Sequence, residues 1–326
     1  MQSRTGAGTS VIEGLLDMRV RERVALTDDV VHLVLEGESR GPLPAWAPGA
    51  HIDLVLSDLL VRQYSLCGDP RDTGRYEIAV LKEREGRGGS AFVHDELTVD
   101  SPVGVRGPRN HFALVDGDSY LFIAGGIGIT PILPMIEAVA RSGRPWRLAY
   151  GGRSLRSMAF GADLAARHGE RVRLWPQDEL GLLPLDDLLT STADGTVVYS
   201  CGPEPLLVAV EERCASLPPE AVHMERFSPK SAESFDADGA FVIELAQSGV
   251  SIPVPAGANV LDRLEASGID VMTSCHEGTC GTCMTTVLGG VPDHRDSVLT
   301  ATERASNDVI LPCVSRCLSD TLVLDL

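Results

Sequence analysis

Four cysteines near the C-terminus carry the most specific chemistry in this sequence. Cys275, Cys280 and Cys283 follow the spacing C-x4-C-x2-C, and Cys313 lies further on. Thiolates are soft, electron-rich ligands that hold iron, and four of them complete a 2Fe–2S cluster. Structural zinc is the competing assignment. Zinc sites usually show two close cysteine pairs, however, and here only one CxxC is present. The loop CHEGTCGTC supplies Gly278 and Gly281, which let backbone N–H groups turn toward the sulfurs. Thr279 and Thr282 add small side chains that leave the space open. Cys67, Cys201, Cys214 and Cys317 fall outside the pattern, and Cys214 and Cys317 read as small buried hydrophobes.

A second chemistry is written in glycine. Tyr120-Leu-Phe-Ile-Ala-Gly-Gly-Ile-Gly-Ile-Thr130-Pro131 reads as a strand, a tight turn and a helix start with proline in its first turn. Gly125, Gly126 and Gly128 would let a pyrophosphate approach the backbone at a helix N-terminus. The turn does not fit GxGxxG, which disfavours an ordinary dehydrogenase. Cys201, Gly202 and Pro203 close a later strand. In an open parallel sheet both turns face one crevice, which would set Cys201 beside a nicotinamide ring; plain packing in a tight turn is the alternative. The third cluster is Arg62-Gln-Tyr-Ser-Leu66. Arg62 suits a phosphate, Tyr64 offers an aromatic face to an isoalloxazine, and Ser65 can hydrogen-bond a ring heteroatom. Gly88, Gly89 and Ser90 in the loop Gly86–Ser90 suit an anionic group.

Three kinds of scaffold are needed to hold these residues. Up to about Val115 the pattern is short β-runs with turn punctuation: Val30–Leu35, His51–Leu56, Tyr76–Leu81 and Val103–Arg106. That rhythm predicts a small antiparallel β-barrel. From Tyr120 strands alternate with helical stretches: strands at 120–124, 147–150, 172–175, 196–200 and 222–227, and a helix at 131–141. This pattern predicts an α/β doubly wound unit. Ser228–Asp238 is polar and aperiodic and reads as a linker. A hairpin over 241–255, a helix over 259–267 and strands near 309–313 and 321–326 surround the cysteines. The predicted boundaries are a disordered N-terminus at 1–16, the barrel at 17–116, the α/β domain at 117–227, the linker at 228–238 and the cysteine domain at 239–326.

Composition narrows the class. The chain has 326 residues and a formal charge of −18. A surface so acidic repels nucleic acid and anionic membranes. No apolar run is long enough to span a bilayer, and the first ten residues lack the apolar core of a secretion signal. A cytoplasmic protein is expected, in which eight cysteines are poor disulfide candidates.

The three signatures, in this order, resemble the phthalate dioxygenase reductase and vanillate O-demethylase reductase family of the ferredoxin–NADP reductase superfamily. The resemblance spans about Asp17 to Leu326. It rests on Arg62–Leu66, Gly88–Ser90, Gly107–Asn110, Gly125–Pro131, Cys201–Pro203, His223–Phe227 and the four cysteines, whose spacing is that of plant-type ferredoxins. It implies a multidomain chain: antiparallel flavin barrel, doubly wound nicotinamide domain and β-grasp (α+β) ferredoxin domain. It implies FMN rather than FAD, held by Arg62, Tyr64, Ser65, the strand Ala79–Lys82 (Ala79, Val80 and Lys82) and Ser90, with Thr130 and Phe227 nearby. Core packing at a domain junction is the alternative for Phe227.

The implied activity runs from a nicotinamide through the flavin, which takes two electrons at once, to a cluster that takes one. Hydride transfer needs no general base, and His94, His111, His223, His276 and His294 read as surface or structural residues. The expected partner is a Rieske-type oxygenase or O-demethylase. The alternatives are a haem-thiolate monooxygenase and a non-enzymatic redox-sensing iron–sulfur protein. A monomer is expected. For the cofactor the resemblance implies NADH, while Arg153 and Arg156 after the second α/β strand would favour NADPH by the 2′-phosphate rule, or contact the pyrophosphate instead. Residues 239–326 carry eleven acids and four arginines, a balance of 4 − 11 = −7. That field would steer the cluster toward a basic partner, with Glu277 in the cysteine loop as the sharpest test.

Overall fold

The computed structural model describes residues 14–39, 41–57, 60–190, 192–193, 195–229 and 239–326. Most of the predicted linker, from residue 230, lies outside them, as do residues 1–13 of the N-terminus. Leu15 and Leu16, read as part of that disordered end, instead begin a strand.

Six antiparallel strands form the first unit: β1 (Leu15–Ala25), β2 (Val30–Gly37), β3 (His51–Ser57), β4 (Leu60–Ser65), β5 (Arg75–Leu81) and β6 (Pro102–Arg109), in the order β4-β3-β6-β1-β2-β5. Leu66 bridges to Ile78, and the Cys67 N–H donates to the Glu77 carbonyl at 2.9 Å, so the two edge strands meet and close the barrel. Alternation fills it: Val31, Leu33 and Leu35 of β2 point inward with Ile52 and Leu54 of β3 and Ile78 and Val80 of β5. The loop read over 86–90 runs straight into a helix, Gly89–Asp95, whose Val93 packs on the barrel core.

The second unit is a parallel sheet of β7 (Ser119–Gly125), β8 (Trp146–Gly152), β9 (Val172–Pro176), β10 (Thr196–Cys201) and β11 (Val222–Glu225), ordered β11-β10-β7-β8-β9. Both faces are covered, which explains the continuous apolar run in β7. Tyr120, Phe122 and Ala124 pack on the helix Ile132–Ser142, while Leu121 and Ile123 pack on Leu185, Leu188 and Val210. The chain winds outward in opposite directions from β7 and β10. Their C-terminal ends therefore flank the switch point, where ligands of such sheets bind.

The third unit holds β12 (Phe241–Leu245), β13 (Ser251–Val254), β14 (Thr285–Gly289), β15 (Pro292–Asp293), β16 (Val309–Ile310), β17 (Arg316–Cys317) and β18 (Thr321–Leu324). The sheet runs β13-β12-β18-β14-β16, with β12 and β18 parallel and β15 paired with β17. The helix Val260–Ala266 packs beside it through Val260, Leu261 and Leu264, giving the expected β-grasp. Asn259 caps that helix by accepting the Asp262 N–H at 3.2 Å, and its amide donates to the Cys313 carbonyl at 2.8 Å. One side chain thus ties the helix start to the distant fourth cysteine.

Candidate functional site

The cysteine loop is shaped by three residues with left-handed backbone: His276 (φ 57°), Gly278 (φ 68°) and Gly281 (φ 68°). These reversals point amides at sulfur. The Glu277 N–H donates to Cys275 Sγ at 3.3 Å and the Thr279 N–H at 3.5 Å, while Thr282 Oγ1 lies 3.1 Å from Cys280 Sγ. All four cysteines are buried. Their thiols meet in two pairs, Cys275 with Cys280 and Cys283 with Cys313, and a Cys275–Cys313 contact joins the pairs. These contacts pull Cys275 and Cys283 toward the thiolate and push Cys280 and Cys313 away from it. Two linked pairs of thiols with inward amides fit a two-iron core with one pair per iron.

Beside this loop lies a cleft of about 460 Å³, in the range that takes small cofactors. Three units build it. The barrel contributes Arg62, Tyr64, Ser65, Ala79, Gly89 and Ser90; the α/β unit contributes Thr130, Glu225 and Phe227; and Glu277 and Thr279 arrive from the cysteine loop. Arg62 donates to the Val61 carbonyl at 2.7 Å and to the Arg87 carbonyl. Burial, then the neighbouring Arg87 charge, lower its proton affinity. Two guanidiniums at one mouth suit an anion such as a phosphate. Burial pushes the Tyr64 hydroxyl up to about 12, so it stays neutral. An aromatic wall, apolar strand residues and this cationic mouth fit a flavin mononucleotide.

Two expected flavin neighbours lie elsewhere. Val80 turns into the barrel core, because β5 alternates and presents Ala79 and Leu81 to the cleft instead. Lys82 pairs with Asp95 at 2.5 Å, outside the lining. Gly88 sits just behind the lining, at φ 83° before the helix. Phe227 is 44% exposed and lines the cleft, which removes core packing as its role.

At the switch point the glycines do more than admit a ligand. A Cβ on Gly128 would overlap the Cys201 carbonyl, and one on Gly202 would come within 2.9 Å of Gly125 Cα, so the turns of β7 and β10 need glycine to touch. Gly126, at φ 55°, has open space around it. Pro203 precedes the helix Glu204–Arg213, and Arg153 is exposed at the end of neighbouring β8. Cys201 is fully buried, and its thiol contacts Glu225 Oε2 at 3.9 Å. Burial, then Glu225, raise that thiol well above its usual range, so it stays neutral beneath the switch point.

Sequence reasoning gave Glu225 no role. It lies between Cys201 and Ser65, whose Oγ is 3.5 Å from Oε2, and burial pushes its carboxyl up to about 8. Its neighbour Arg226 anchors the segment by gripping Glu204 at 3.1 Å and Glu211 at 2.7 Å. Also unforeseen is the seam between barrel and cysteine loop. Gln63 bridges Asp53 (2.9 Å) and Ser274 (2.7 Å), and His51 faces the Cys280 backbone, kept neutral by burial. The ring of His111, read as surface or structural, packs on Gly281 so tightly that a Cβ there would overlap it. Glu277, read as the member of the acidic docking field nearest the cluster, pairs with Arg87 at 2.8 Å. No described helix is long and apolar enough to cross a membrane.

Residues 243–318 match the family model of the 2Fe–2S iron–sulfur cluster binding domain. The chain is 43% identical to the phenoxybenzoate dioxygenase subunit beta of Ectopseudomonas oleovorans over 95% of this chain and 97% of that one. Phthalate dioxygenase reductase, solved as a modular structure for electron transfer from pyridine nucleotides to [2Fe–2S], superposes with a TM-score of 0.70 at 32% identity, covering 96% of this chain and 98% of that one. An intact type IV self-sufficient cytochrome P450 monooxygenase superposes with a TM-score of 0.92 at 43% identity; the match covers 98% of this chain and 43% of that one.

Proposed function

The chain belongs to the oxygenase-reductase family that joins a flavin barrel, a nicotinamide domain and a C-terminal 2Fe–2S domain, and on that premise we propose that it passes electrons from NADH, through FMN and the cluster, to a Rieske-type oxygenase or O-demethylase of the cytoplasm. The observation that carries this reading is that Glu277 and Thr279 of the cysteine loop line the same cleft as Arg62, Tyr64 and Phe227. Bound FMN supplies the conversion of one hydride into two single electrons, the only form a 2Fe–2S cluster accepts.

The chain's own residues position, shield and neutralise. Arg62 and Ser90 take the phosphate end, and Tyr64, Ser65 and Ala79 take the ring. Gly125, Gly126, Gly128, Gly202 and Pro203 form the nicotinamide floor, with Arg153 toward the nucleotide phosphates. Phe227 covers the exposed face of the cleft and must yield to an incoming nicotinamide. Cys201 and Glu225 stay uncharged beneath it and exclude water without competing for the hydride. Cys275, Cys280, Cys283 and Cys313 ligate the cluster. Purified protein should release about one FMN and two irons per chain. Released FAD, or zinc without acid-labile sulfide, overturns the assignment.

A haem-thiolate monooxygenase is the second candidate acceptor, favoured by the match to a segment of the self-sufficient P450. Reconstituting turnover with each oxygenase type, and identifying the oxygenase that copurifies, separates the two.

A further inference from the structure

The loop between β5 and the helix Gly89–Asp95 touches both cofactor sites at once. On one side Arg62 donates to the Arg87 carbonyl and is pressed against Gly89, where any Cβ would overlap its side chain. On the other side the Arg87 guanidinium meets Glu277 at 2.8 Å. The Glu277 backbone N–H in turn sits 3.3 Å from Cys275 Sγ. One residue away, Gln63 of β4 holds Ser274 at 2.7 Å. A continuous set of polar contacts therefore runs from the phosphate end of the cleft to Cys275.

From this we infer that Arg87 and Glu277 are positioning residues that link FMN binding to docking of the cysteine loop. Arg62 fixed by an anion holds the Arg87 carbonyl in place, and a fixed Arg87 presents its guanidinium to Glu277. By reciprocity, a docked cysteine loop holds Arg87 where Arg62 needs it. The linkage rests on the reading of the cleft as the FMN site. A half-exposed ion pair is a weak clasp in isolation, so the coupling should be a few-fold rather than absolute.

The sign of one substitution separates this linkage from simple electrostatics. Glu277 carries negative charge at the lip of a cleft that takes a phosphate. If it acted only through its field, Glu277→Gln would tighten FMN, because a like charge is removed. Linkage requires the opposite. In the full-length, cluster-loaded chain, FMN fluorescence quenching should report about fivefold weaker binding for Glu277→Gln and for Arg87→Gln. Stopped-flow reduction of the cluster after NADH mixing should slow by a similar factor. The exchange Arg87→Glu with Glu277→Arg should recover most of both losses, which a merely destabilised fold would not. Unchanged or tighter FMN binding in Glu277→Gln overturns the linkage and leaves the cleft assignment standing. Failure of the unsubstituted chain to bind FMN overturns the cleft assignment itself, and the linkage with it.

Discussion

The cysteine loop and the flavin cleft are neighbours built on opposite principles. The loop is one contiguous segment, 274–283, that carries three of its four ligands and the amides that face them. The cleft has no segment of its own. It appears only where a barrel, a parallel sheet and the cysteine loop meet, and no unit alone encloses it. A contiguous site should fail locally and completely when a ligand is lost. A composite site should degrade by degrees as its walls shift.

The largest effect tests the first half of that contrast. Cys280→Ser should abolish cluster assembly and the reduction of one-electron acceptors such as cytochrome c. Flavin reduction by NADH should persist, because neither the barrel core nor the sheet core uses that side chain, with FMN held no more than a few-fold more weakly through the loosened Arg87–Glu277 contact. Cytochrome c reduction at full rate would show that the cluster is not the exit.

The seam between β7 and β10 tests the second half. Gly128→Ala drives a methyl into the Cys201 carbonyl, a backbone atom that cannot swing away. A loss of about 1–3 kcal/mol is expected, with a raised KM for NADH and retained FMN. Gly126→Ala meets open space and suffers only its φ of 55°, about 1 kcal/mol. Equal melting temperatures for the two variants would break this distinction.

Glu225 sharpens it further, because its environment exists only in the assembled cleft. Its carboxyl, near 4.5 when unfolded, is held protonated up to about 8 by burial. Between those values the native state binds a proton that the unfolded state lacks, so stability falls as pH rises. The slope is at most about 1.4 kcal/mol per pH unit. The contribution is whole below about 4.5 and is lost through about 8. Glu225→Gln should remove this component, so its melting temperature should gain on the parent from pH 5 to 8. Parallel curves would show that Glu225 titrates normally.

Legibility followed the same division. The cysteines could be read because ligation demands one residue type at fixed spacing, and the switch-point glycines because only glycine fits where two backbones touch. Arg62, Tyr64 and Ser65 stood out as a short motif on one strand. Glu225, Gln63 and Arg87 did not, since a lone acid, amide or arginine on a strand or loop has many ordinary roles, and only tertiary contact gives these three a site. The misplacement of Val80 was avoidable: period-two alternation along Ala79–Leu81 already sets it on the core side once Ala79 faces the flavin. The pairing of Glu277 was not legible because a partner 190 residues away leaves no local trace.

Cofactor choice is a finer test of the composite side. NADH should exceed NADPH in kcat/KM, with Arg153 at the exposed end of β8 serving the shared phosphates rather than a 2′-phosphate. A tenfold preference for NADPH, about 1.4 kcal/mol, would reverse that reading of Arg153.

The smallest effect concerns the outer face of the contiguous side. Of the eleven acids in residues 239–326, Asp296 is buried, Asp293 pairs with Arg295 and Glu277 pairs with Arg87. Eight remain exposed: Glu244, Asp262, Glu265, Asp270, Glu303, Asp308, Asp320 and Asp325. Arg316 is buried and Arg304 turns in to the Asp296 carbonyl, so two of the segment's four arginines are spent inward. Arg295 is cancelled by Asp293, so the eight exposed acids face Arg263 alone and the outward balance, 1 − 8, stays at −7. A basic partner should meet it faster at low salt, and screening acts over about 8 Å at physiological ionic strength. Turnover with the oxygenase should therefore fall a few-fold as salt rises. Asp270→Lys, five positions before Cys275 and outside the Arg87–Glu277 pair, should flatten that fall. Flavin reduction by NADH should not respond to the substitution, because the charge lies outside the cleft. Partner turnover that ignores ionic strength would remove electrostatic steering and leave the eight acids with solubility alone.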